Sequence, residues 1–154
     1  MRPAELCEQV LAEAAQIARA RGVTLDAATG PAVAGAPEAP LDRTALARAA
    51  ANLVANAAEH ARSRVAVSCD VAGGHLVIEV ADDGPGFSPA ALERGCERLF
   101  TDDSSRSSRD GGRHYGLGLH AASEAASAHG GSISLANRPS GGAVATIAVP
   151  LCGI

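Results

Sequence analysis

Asn52 and Asn56 stand four residues apart, the spacing that brings two side chains to one face of a helix, with His60 one turn further on. An amide oxygen is a neutral, hard ligand. It suits an octahedral Mg²⁺ ion that keeps several waters and takes most of its charge compensation from phosphates. Two solvent-facing asparagines on a helix would have the same spacing. Further along, Asp83 precedes Gly84-Pro85-Gly86 at the expected end of a strand. Glycines let a ligand come close to the backbone, and a fixed carboxylate there can accept a hydrogen bond from an adenine amino group. An ordinary Asp-Gly turn has the same composition. Gly116-Leu117-Gly118-Leu119 opens a helix whose free N–H groups and positive dipole end favour phosphate. Arg106, Arg109 and Arg113 precede it in a loop and suit either a triphosphate or plain solvation.

Composition removes several classes of function. The thirteen basic residues are all arginine. Without lysine the chain can have neither the phosphate-gripping lysine of a P-loop nor the strand lysine of eukaryotic-type protein kinases. A formal net charge of −4 with scattered arginines gives no nucleic-acid footprint. Cys7, Cys69, Cys96 and Cys152 form no C-x-x-C pair, and the five histidines show no metal-ligand spacing. No apolar run reaches the length of a membrane span, and the N-terminus lacks a signal-peptide pattern.

Several elements must position these residues. A helix is expected over 3–21 from Leu6, Val10, Leu11, Ala14 and Ile17, followed by a short strand at 23–25. Residues 27–40 read as a turn region with a strand around 32–34. A second helix, capped by Asp42, runs to about 61 and carries both asparagines. Strands at 65–71 and 76–80 alternate in polarity around Gly73-Gly74, a two-residue hairpin turn. A short helix is expected over 89–98 and an aperiodic loop over 101–115. A helix follows over 116–129, then strands at 132–136 and 143–149. Helices separated by hairpins imply one domain over 1–154, a two-layer α/β sandwich with a mixed sheet. With one tyrosine, two phenylalanines and no tryptophan, its core must be built from Ala, Val and Leu.

In this order the motifs resemble the GHKL superfamily, which includes sensor histidine kinases, gyrase, Hsp90, MutL and anti-sigma-factor kinases. "NLVANAAEHA" is similar to the histidine-kinase N box and "DDGPGF" to the first glycine box. "CERLFTDDSSRS" falls at the F box, "GLGLHAASEAASAHGG" resembles the second glycine box with its helix, and "GGAVATIAVP" stands for the closing strand. The resemblance implies the Bergerat fold, a mixed, mostly antiparallel sheet of about five strands with three main helices on one face. It implies ATP and Mg²⁺, with Asn56 as metal ligand, Asp83 as the adenine-reading carboxylate and Gly84 and Gly86 shaping the adenine pocket. Residues 101–115 would be the ATP lid, with Arg106 on the phosphates beside Gly116 and Gly118. Glu59, His60, Phe100, Tyr115, Leu117 and Leu119 would complete the nucleotide surroundings, and Asn52, Asn56 and Arg106 the catalytic set. Departures are Glu59 where Lys or Arg is frequent, Cys96 and Leu99 at the usual Phe positions, His114 at a glycine position and Ala143 at a frequent Thr.

Within the superfamily, Asn52 is the discriminating residue. Hydrolysing members and anti-sigma-factor kinases carry a Glu there as general base, and an amide cannot take a proton. Asn52 therefore resembles the histidine kinases, whose acceptor imidazole is already nucleophilic when neutral. No histidine of the chain lies in an acceptor context. The expectation is the catalytic, ATP-binding portion of a larger kinase, monomeric in isolation and cytoplasmic as the cytosolic part of a membrane-anchored sensor. It would act on the dimerisation and histidine-phosphotransfer domain of the same kinase, with a response regulator downstream and no nucleic acid. The alternatives are a free-standing serine kinase of the anti-sigma-factor type and a non-catalytic nucleotide-sensing module.

Overall fold

The computed structural model describes residues 1–94 and 116–151. The expected lid at 101–115, Phe100, Arg106, Tyr115 and the end of the helix over 89–98 lie outside the described residues.

Helix α1 spans Pro3–Arg21. Proline stands in its first turn, where no intrahelical N–H is needed, and Gly22 closes it with φ 71°, its amide reaching the Ala18 and Arg19 carbonyls. Leu6, Val10 and Ala14 form the buried stripe. Strand β1 covers Thr24–Thr29 and continues past the expected 23–25. Parallel pairing with the next strand, from Thr24↔Arg64 to Thr29↔Cys69, overrides the weak strand preference of Asp26-Ala27-Ala28. The expected strand around 32–34 is instead a short helix, α2, at Pro31–Ala34. The Gly30 amide makes a bond to the Cys69 carbonyl, and Pro31, with its φ preset for a helical turn, directs the chain out of the sheet.

Helix α3 is Arg43–His60, with the Asp42 carboxylate accepting the Ala45 amide at 3.1 Å as N-cap. Strands β2 (Arg64–Ala72) and β3 (His75–Asp82) form the expected hairpin, with φ of 58° and 77° at Gly73 and Gly74. Helix α4 is described over Pro89–Arg94, and helix α5 over Gly116–Ala128. Strands β4 (Ser132–Asn137) and β5 (Ala143–Pro150) complete the sheet. The strand order is β1-β2-β3-β5-β4, with β1 parallel to β2 and every other pair antiparallel. This is the mixed five-stranded α/β sandwich expected from the sequence.

Alternation decides which face is covered. Val65, Val67 and Cys69 of β2, Leu76, Ile78 and Val80 of β3, and Ala145, Ile147 and Val149 of β5 are buried beneath the helices. Helix α3 lies between α1 and α5 and also touches β2 and β3. Its buried side is consequently broad and largely alanine: Ala47, Ala49, Ala50, Ala57 and Ala58 around Leu46, Leu53 and Val54. Small side chains let three helices and a sheet approach one another closely, which is how a core almost free of aromatics still packs. His129 ties the layer together. Its Nε2 accepts the Asp42 amide at 2.9 Å, so Nδ1 carries the proton and donates to the Ala125 carbonyl at 2.7 Å.

Candidate functional site

The last turns of α3 bring Asn52, Asn56 and His60 to one side of the helix, half-buried, while Glu59 is exposed. The Oδ1 atom of Asn56 is buried and has no hydrogen-bond partner among the described residues. A buried amide oxygen left without a donor costs about 1–3 kcal/mol, so its lone pairs call for a cation or a donor that the described residues do not supply. Asn56 thus fits the role of a Mg²⁺ ligand, on geometry as well as on donor chemistry. No group of three or more His, Cys, Asp or Glu among the described residues could hold a metal alone.

The two aspartates at the end of β3 face different ways. Leu76, Ile78 and Val80 point inward, and Asp82 is next in phase; it is the buried charged side chain among the described residues, 3% exposed. Its Oδ1 accepts the amides of Gly84 at 2.8 Å and Ala143 at 3.4 Å. Asp83 points the other way. One of its oxygens accepts the amides of Arg62 (2.8 Å), Ser63 (3.1 Å) and Arg64 (3.2 Å), and the other accepts the Ser63 hydroxyl at 2.9 Å. Burial pushes the Asp83 carboxyl upward, but the Ser63, Arg64 and Arg62 donors outweigh it and hold the group well below the usual carboxylate range. Asp83, expected to read adenine, thus has both oxygens engaged by residues 62–64. The spacing Asp-x-Gly-x-Gly, counted from its first residue, begins at Asp82.

The glycines that follow are set by close approach. A Cβ on Gly84 would run into the His60 carbonyl, so the turn lies directly on the end of α3. Gly86 has φ 87°, and a side chain there would meet Asn137. Asn137 holds the next residue in both directions, accepting the Phe87 amide at 2.7 Å and donating to its carbonyl at 3.0 Å. Gly142, with φ 100°, lets the start of β5 pass against the Asp82 carbonyl. Neither Asn137 nor Gly142 was singled out by the sequence, because each works through a contact with a distant segment.

Helix α5 begins at Gly116 and meets α3 at the same place. A Cβ built on Gly118 would lie 3.7 Å from the Asn52 Cβ, and Leu119 is buried in the core rather than lining a surface. The amino-terminal end of α5 therefore stands beside the asparagine face of α3. Asn52, Asn56, Asp82, Gly84 and Gly118 are drawn together from three segments, and Asp83 supports them from behind.

A five-stranded sheet of this order, with three helices on one face, belongs to the histidine-kinase type of α/β sandwich. The catalytic domain of histidine kinase ThkA superposes with TM-score 0.75 over 98% of this chain and 93% of that one, at 21% identity. The mycobacterial sensor histidine kinase MprB does so with TM-score 0.72 over 93% of each chain, at 23% identity. Residues 41–153 match the model of the family described as histidine kinase-, DNA gyrase B-, and HSP90-like ATPase. The chain belongs to that family. Among curated relatives, the signal transduction histidine-protein kinase AfsQ2 of Streptomyces coelicolor is 42% identical over 100 residues, 65% of this chain and 18% of the relative. The sensor-like histidine kinase SenX3 of Mycobacterium tuberculosis is 39% identical over 111 residues, 71% of this chain and 27% of the relative. The chain thus spans about a quarter or less of the length of these relatives. No described helix is long and apolar enough to cross a membrane.

Proposed function

We propose that this domain binds Mg·ATP and presents the γ-phosphate to a histidine on a separate dimerisation and phosphotransfer domain of the same kinase, for relay to an aspartate of a response regulator. The observation that carries the reading is the buried Asn56 oxygen, which has no hydrogen-bond partner among the described residues and lies one helical turn from Asn52, the residue that the amino-terminal end of α5 approaches. A solved relative of this fold, full-length ShkA, is in complex with AMPPNP; it is 23% identical, with TM-score 0.70 over 96% of this chain and 30% of its own. In the proposed arrangement Asp82 takes the adenine end. A buried carboxylate is costly even when two amides answer it, such groups cluster at functional sites, and its position at a strand end beside Gly84 lets a base approach.

Mg²⁺, held by Asn56 together with phosphate oxygens, would neutralise charge on the transferring phosphoryl group. The chain's own residues supply position. Gly116 and Gly118 offer amides and a helix dipole to the phosphates, and lid arginines, Arg106 foremost, would add cations. Asn52 cannot act as a base, which suits a neutral imidazole acceptor and disfavours a serine. The reaction belongs on the cytosolic face, where ATP is present.

The test is calorimetric titration with ADP and AMPPNP, with and without Mg²⁺, of the parent and Asp82→Asn, followed by transfer to an added histidine domain. Mg²⁺-dependent binding that Asp82→Asn weakens, and an acid-labile phosphate on the acceptor, is the expected result. A folded parent that binds neither nucleotide would overturn the reading, and an acid-stable phosphate would turn it to a serine kinase.

A further inference from the structure

We propose that Asp83 is a positioning residue whose carboxylate fixes the end of α3 against the end of β3, and so sets the separation between the Asn56 oxygen and the Asp82 carboxylate. This rests on the reading above, in which those two groups meet opposite ends of one nucleotide.

The geometry is a joint closed from two sides. One Asp83 oxygen collects three consecutive amides, those of Arg62, Ser63 and Arg64, at 2.8, 3.1 and 3.2 Å. Three convergent N–H groups form a small anion-binding nest, and here its anion is built into the chain. The second oxygen takes the Ser63 hydroxyl at 2.9 Å. These donors lie in the connection leaving α3, the helix that carries Asn56, and at the first residue of β2, while Asp83 directly follows Asp82. Gly84 closes the opposite side, where any side chain would collide with the His60 carbonyl. Helices are stiff over one turn, so a displacement of the helix end at His60, to which residues 62–64 are joined, is passed to Asn56. A nucleotide that must touch both ends feels that displacement, whereas a ligand that touches one end does not.

Two substitutions, Asp83→Asn and Asp83→Ala, separate this role from mere bulk. In Asp83→Asn, Oδ1 still accepts the three amides and Nδ2 donates to the Ser63 oxygen. Asp83→Ala leaves all four donors unanswered. Each variant and the parent are titrated with Mg·ADP and with adenosine at a temperature where circular dichroism shows all three folded. Amide exchange at Arg62–Arg64 and the Asn56 side-chain resonance are recorded without ligand. We expect Asp83→Ala to weaken Mg·ADP roughly tenfold or more while sparing adenosine, and Asp83→Asn to restore binding. Exchange at 62–64 should quicken and the Asn56 resonance shift in Asp83→Ala alone. A folded Asp83→Ala protein that binds both ligands like the parent, or loses both in equal proportion, overturns the proposal. Should the parent itself bind neither ligand, the nucleotide reading fails, and an unmoved Asn56 resonance in Asp83→Ala would separately overturn the joint.

Discussion

The side chain of Asn137 pairs with the backbone of Phe87 as a neighbouring strand would, one bond at 2.7 Å inward and one at 3.0 Å outward. It holds the glycine turn after β3 against the end of β4, two segments fifty positions apart. Asn137→Ala leaves both Phe87 groups without these partners and should cost about 1–3 kcal/mol. A domain of this size then loses roughly 2–4 °C of melting temperature per kcal/mol. Asn137→Asp should fare no better, because a carboxylate accepts the Phe87 amide but faces its carbonyl with no proton to give. Thermal denaturation of both variants checks this, and an unchanged melting temperature in Asn137→Ala would refute it.

Acid should weaken the fold through Asp83. Its folded-state pKa lies below that of an unfolded aspartate, about 3.9. The stabilisation is thus fully present above that value and is lost as pH falls through it toward the folded-state pKa. Asp83→Asn has no such titration. The stability gap between parent and Asp83→Asn, taken from urea midpoints, should therefore narrow below about pH 4. A gap constant from pH 7 to pH 3 would be incompatible with this account.

Asp82 and Asp83 should separate cleanly when each is changed to asparagine. Asp82→Asn keeps an oxygen for the Gly84 and Ala143 amides, so the fold should survive. Adenine affinity should still drop roughly 10- to 100-fold, the worth of one hydrogen bond to a charged group. Asp83→Asn should bind nearly as the parent does. Calorimetry on the pair decides, and the reverse ranking would restore Asp83 as the base reader.

Two glycines should answer alanine differently. Gly84→Ala drives a methyl into the His60 carbonyl and should cost about 1–3 kcal/mol. Gly118→Ala meets Asn52 only at ordinary contact distance and should be neutral, or stabilising by up to ~1 kcal/mol. If phosphates approach the Gly118 backbone, the same methyl should lower Mg·ADP affinity roughly tenfold, about 1.4 kcal/mol. A Gly118→Ala protein that is more stable and binds unchanged would remove phosphates from that helix end.

How much of this could be read from the chain depended on whether the signal was local. Helices α1 and α3 announced themselves through apolar spacing, α5 through the glycine motif that opens it, and the β2–β3 hairpin through alternation around Gly73-Gly74. The length of β1 did not, since its residues are poor strand formers held by pairing with β2. Pro31 marked a helical turn that small apolar neighbours disguised as a strand. The two aspartates were separable in principle, because the inward phase of Leu76, Ile78 and Val80 continues to Asp82 and puts Asp83 outside. What could not be read was long-range: Asn137 on Phe87, Gly142 against Asp82, and His129 on the amide of Asp42. No periodicity encodes a contact between segments so far apart.

The passage from α3 to β2 looks like a surface loop by position, and surface loops ordinarily drift in length as sequences diverge. Here its three amides are counted out against one carboxylate while the turn it grips rests on the helix end. One residue more or fewer between His60 and Arg64 would put the wrong amide in each position and change the phase with which β2 enters the sheet. The connection should accept changes of letter at Arg62 far more readily than any change of length.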